Sequence, residues 1–99
     1  MNLKEFKDTL SQAHPPADTD PVLQALWHDA KGDWDTAHNL LQGQESRAAS
    51  WVHAYLHRKE GDNANAAYWY SRSGQSVSTQ TLEAEWDHIA QALLNEHSD

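Results

Sequence analysis

The chain has no cysteine among its 99 residues, and only three prolines and four glycines. Without thiols there is no disulfide framework, no thiolate metal ligand and no cysteine nucleophile. Basic residues are also scarce. Seven Lys and Arg against fifteen Asp and Glu leave a formal net charge of −8. No basic cluster offsets that field, so phosphate backbones and anionic lipid are repelled, and neither nucleic acid nor membrane is expected as a partner. A basic or neutral partner fits the charge better. Long apolar runs are missing too. No stretch approaches the roughly 18–20 residues of a membrane span, and Met1-Asn2-Leu3-Lys4-Glu5-Phe6 lacks the apolar core of a secretory leader. These absences predict a soluble, cytoplasmic protein. Absent as well are a Gly-x-Ser-x-Gly elbow and a phosphate-cradling glycine loop, so no cofactor is expected and a non-enzymatic role is preferred.

What is present is aromatic and helical. Five Trp, three Tyr and one Phe supply large apolar area for a small core. No period-two alternation or hairpin turn pair occurs, so the chain reads as all-α, a single domain over 1–99 with about six helices. Leu3, Phe6 and Leu10 share a face of a first helix, opened by an Asn2/Glu5 capping pair and stopped by Pro15-Pro16, spanning 2–13. Asp20-Pro21 starts a second helix, ended by Gly32, and Asp33 starts a third, ended by Gly43. Ser46 opens a fourth helix with Ala48, Trp51, Val52, Tyr55 and Leu56 as its core arc, and Gly61-Asp62 passes into a fifth that closes at Gly74. The last helix, within 79–96, carries a Leu82/Trp86/Ile89/Leu93 stripe. Its acidic residues Glu83, Glu85 and Asp87 read as a solvated face.

The chain repeats itself. Ala25, His28, Gly32, Asp33 and Ala37 recur as Ala54, His57, Gly61, Asp62 and Ala66, a register of 29 residues, and Leu40-Leu41 is matched by Trp69-Tyr70. Glycine allows the tight turn between two helices, aspartate caps the second helix, and the small alanines let the backbones approach. The units 21–43 and 46–74 resemble tetratricopeptide-like repeats through Gly32-Asp33-Trp34 with Ala37 and Leu41, and Gly61-Asp62 with Ala66 and Tyr70. That resemblance implies antiparallel hairpins in a right-handed array, with the first and last helices as caps, and a scaffold that binds a protein or peptide.

Residues common to both units serve the hairpin; residues confined to one are free for another task. His53, Arg58, Glu60, Asn65 and Tyr68 stand where the first unit has Gln24, Asp29, Lys31, Thr36 and Asn39. Helical spacing puts His53, His57 and Glu60 on one stripe, and Asn65, Trp69 and Arg72, with Tyr68 alongside, on another. Three readings follow. The stripes form a structural hydrogen-bond network, or they line a groove for a peptide or small polar ligand. Alternatively, His53 and His57 at i, i+4, with Glu60 a turn away, serve a metal or hydrolytic site. The structural network carries the most weight of the three, the interaction groove is the preferred functional reading, and metal is the weakest.

Overall fold

The computed structural model describes residues 1–96, and these are all-α: six α-helices with no strand among the described residues. They are α1 (Leu3–Asp8), α2 (Pro21–Ala30), α3 (Trp34–Leu41), α4 (Arg47–Lys59), α5 (Asn63–Ser73) and α6 (Leu82–Glu96). The predicted caps form. Asn2 accepts from Glu5 N at 2.8 Å while Glu5 accepts from Asn2 N at 2.9 Å, and Asp20 and Ser46 accept from the amides of Leu23 and Ala49. Two helices are shorter than their predicted spans. The α-helical part of α1 stops at Asp8 and continues as a 3-10 turn over Thr9–Ser11, well before the prolines. There the Thr9 hydroxyl donates to the Phe6 carbonyl at 2.6 Å, and Lys31 donates to the Leu10 carbonyl at 2.6 Å. Such bonds satisfy carbonyls that a continuing helix would have used. At the other end, Thr81 caps α6 through Ala84 N at 3.1 Å, so the helix begins after 79.

The two Gly-Asp turns have nearly the same backbone. Gly32 and Gly61 lie at φ 85° and 87°, a region that costs an L side chain strain. Asp33 N donates to the His28 carbonyl at 2.9 Å, and Asp62 N to the His57 carbonyl at 2.9 Å. These bonds close the last carbonyls of α2 and α4. Each aspartate then caps the next helix, Asp33 through Thr36 N and Asp62 through Asn65 N. The local chemistry of the repeat is therefore the same in both copies.

Packing joins α2 to α3 and α4 to α5, and places α4 against α2, α3 and α6 as well. Helix α4 is consequently surrounded, and every residue from Ala49 to His57 is buried. Around it lie Leu23, Leu26, Trp27, Leu41, Tyr70, Ile89 and Leu93. The tryptophans tie distant segments through their ring N–H groups. Trp34 donates to the Leu56 carbonyl at 2.9 Å and Trp86 to the Leu26 carbonyl at 3.0 Å. Trp27, Trp51 and Trp86 are buried, whereas Trp34 and Trp69 are half-buried.

The reading of the last helix's acidic residues as a solvated face is corrected at Glu85, which is 1% exposed. Its carboxylate accepts from Arg58 at 2.8 Å and from the Tyr70 hydroxyl. The reason is periodicity. Glu85 is three residues after Leu82 and four before Ile89, so it lies on the apolar stripe. Asp29, which stands in the first unit where Arg58 stands in the second, is buried likewise and pairs with Lys59 at 3.0 Å. The same position of the repeat thus carries opposite charges, each partnered by a different helix.

Candidate functional site

The two stripes meet, but they do not leave an open channel between His53 and Trp69. The His53 ring stacks on Trp69 with centroids 4.1 Å apart and planes 10° from parallel. The Arg72 guanidinium lies over both Trp69 and Tyr68, and Arg72 donates to the Tyr68 hydroxyl at 3.0 Å. Tyr68 itself is 53% exposed. Asn65 is half-buried at the start of α5, its amide held by the Asp62 cap. Arg58 points to the Glu85 side, where it also donates to the Gln80 carbonyl, and so lies apart from the histidines.

His53 and His57 are 4% and 6% exposed, and a third imidazole joins them from α3. His38 sits 5.1 Å from His53 and 5.3 Å from His57 between ring centroids, and His53 and His57 are 6.0 Å apart. One ring nitrogen from each of the three lies within 4.8 Å of the others. Imidazoles sharing one tetrahedral zinc at about 2.0–2.1 Å have centroids roughly 5 Å apart and donor nitrogens roughly 3.4 Å apart. Small rotations of the rings would bring these donors onto one ion. The half-buried His38, stacked on Trp34 at 4.9 Å, has the most room to turn.

Neighbouring groups orient two of the rings. His57 Nδ1–H donates to Glu60 Oε1 at 2.8 Å, which orients the ring. The Gln42 side-chain amide meets His38 at Nδ1, 3.2 Å away. His53 differs, because its Nδ1 is buried with no hydrogen-bond partner. Glu60 and Asp62 also stand near His57, but Asp62 is already committed to capping α5.

These surroundings favour the neutral form of His53 and His38. Burial, then the neighbouring His38 and His57, pull His53 down to about 4 from its ordinary 6.5, with the Leu41 carbonyl acting weakly in the other direction. His38 is lowered for the same leading reason. Neutral imidazole is the form that ligates metal. The lowered value has a consequence for the metal-free protein. As pH falls below 6.5 the unfolded chain takes up a proton that folded His53 refuses until about pH 4, so stability is lost across that window. A loss on the order of 2 kcal/mol between pH 7 and pH 4 is expected from urea denaturation, over and above the carboxylate contribution. A His53→Phe control should lack it.

His38 lies in the first unit and so falls outside the residues confined to the second. Its signal in the sequence is that Trp34 and His38, at i, i+4, are confined to the first unit, where the second has Asn63 and Ala67. No family model matches the chain, and no curated protein or solved structure matches it either. The geometry of the cluster therefore carries the functional argument.

Proposed function

We propose that this chain is a small helical-hairpin protein of tetratricopeptide-like architecture whose function is to bind a divalent transition metal at His38, His53 and His57. The observation that carries the reading is His53, a buried imidazole with an unpartnered nitrogen, next to two further imidazoles with donor atoms in reach. A purely structural histidine would be expected to use its buried nitrogen. An all-imidazole set suits zinc, copper, nickel or cobalt and disfavours magnesium and calcium. Glu60 takes the role of the outer carboxylate that orients a ligating ring. Three protein ligands leave a further position for water or an exchangeable ligand.

The test is metal uptake by purified, chelator-treated protein. One equivalent of zinc or cobalt should bind. His38→Ala and His53→Ala should each weaken binding by about 100-fold or more, and Glu60→Gln by about 10–100-fold. His88→Ala, outside the cluster, should bind normally. Folded wild-type protein that takes up no stoichiometric ion sinks the proposal.

A second reading keeps the preferred interaction scaffold at the outer edge of the same region. It rests on the exposed Tyr68 ring with Arg72 laid across it, a combination of apolar area and charge suited to a protein or peptide partner. Tyr68→Ala would then abolish capture of that partner without lowering Tm.

A further inference from the structure

The three imidazoles come from two different hairpins. His38 stands on α3, in the first unit, and His53 and His57 stand on α4, in the second. Each hairpin packs chiefly within itself, α2 on α3 and α4 on α5, and α3 meets α4 over a smaller seam. The imidazoles occupy that seam together with Trp34, whose ring N–H donates to the Leu56 carbonyl at 2.9 Å. One polar atom in the seam is unsatisfied, the buried Nδ1 of His53. A boundary that holds such an atom gains less from packing than an apolar one would.

Helix α3 is also the hairpin helix least able to hold itself. It is the shortest of the four, with eight residues, of which only Ala37 and Leu41 are buried. A helix of that length is marginal in water alone, so its order depends on what it packs against. The segment that follows, 42–47, is exposed throughout, and Gly43 within it lies at φ 82°. Few buried residues beside an exposed connector describe a segment that opens locally, at a cost below that of global unfolding. Such an opening carries His38 away from His53 and His57, which share α4.

We propose that the bound ion is a clasp between the two hairpins: it fixes α3 against α4, and α3 loosens when the ion leaves. The inference rests on the metal reading of the cluster. An ion held by His53 and His57 alone would touch only α4 and leave α3 free, so the hold on α3 passes through His38. Its size follows from linkage. The factor by which His38 tightens the ion equals the factor by which the bound ion suppresses detachment of α3. With a loss of about 100-fold expected on removing His38, detachment becomes about 100-fold rarer in the loaded protein. Metal occupancy is thereby converted into the order of one helix.

Amide hydrogen exchange of the full chain, chelator-treated and then saturated with zinc, reads the clasp, with zinc content measured on the same samples. In the metal-free protein the amides of 37–41 should exchange at least about tenfold faster than those of 51–56 in α4. Saturation should slow 37–41 by about 100-fold, while α1, whose opening leaves the cluster intact, should slow far less. His38→Phe keeps a ring against Trp34 and removes the donor, so zinc should no longer slow α3, even at concentrations that load His53 and His57. His38→Ala should behave in the same way. The clasp is overturned, with the metal reading intact, if one equivalent of zinc binds and 37–41 keep their rate, if α1 slows as much, or if 37–41 are already as slow as α4 without the ion. Folded protein that holds no zinc overturns both.

Discussion

Glu85→Ala is expected to destabilise the protein by about 3–5 kcal/mol, the largest effect among single charge deletions. Glu85 is 1% exposed and stands between the Arg58 guanidinium and the Tyr70 hydroxyl. Removing it leaves a partly buried cation with only the Gln80 carbonyl as acceptor, and a buried hydroxyl with none. The Arg58–Glu85 attraction itself does not set the size of the effect, because bringing both groups out of water offsets much of it. The uncompensated partner does. Glu85→Gln keeps the shape and one acceptor, so it should lie between wild type and Glu85→Ala. The Arg58→Met/Glu85→Met double variant removes both charges and should recover most of the stability lost by Glu85→Ala. For a chain of this length, 3–5 kcal/mol corresponds to a fall in Tm of more than about 12 °C. A Glu85→Ala loss under about 1 kcal/mol would show that the network is not a structural tie between α4, α5 and α6.

His53→Phe should do the opposite to stability while removing function. The ring that stacks on Trp69 is retained in kind, and the unpartnered Nδ1 disappears. Since a buried polar atom without a partner costs about 1–3 kcal/mol, the metal-free variant should be more stable than wild type by about 1 kcal/mol at pH 7. The advantage should widen toward pH 4, where wild-type His53 resists protonation. Metal binding should be lost, and zinc should no longer raise Tm as it does for wild type, where a ligand bound only by the folded state adds stability. A gain in stability together with a loss of metal marks His53 as a residue kept for function at a cost to the fold. If His53→Phe instead unfolds the protein and wild type takes up no ion, the imidazole is a packing element and the metal reading fails.

Much of the frame was legible in the residues because caps and turns are short-range chemistry. Asp20, Asp33, Ser46 and Asp62 each reach an amide three residues on, and both glycines bend within one turn of helix. The repeat was legible for the same reason. Burial of polar groups was less so. Glu85 could have been suspected from its place on the Leu82/Ile89 stripe, although the run of acids at 83, 85 and 87 suggests a wet surface. The His53/His57 pair was visible at helical spacing, but nothing local places His38 beside it from another helix.

The amino-acid order by itself determined where α2 to α5 begin and end, that two Gly-Asp turns share one design, and which side chains were free of that design. Those features depend on contacts within a few residues. Only the tertiary structure decided that α4 is covered by α2, α3, α5 and α6, so that histidines drawn as the polar edge of a groove are buried. A helix surrounded on several sides has no outward face, and its polar residues must find partners inside. Packing α3 on α4 brings the third imidazole to the other two and converts a weak spacing signal into a three-donor cluster.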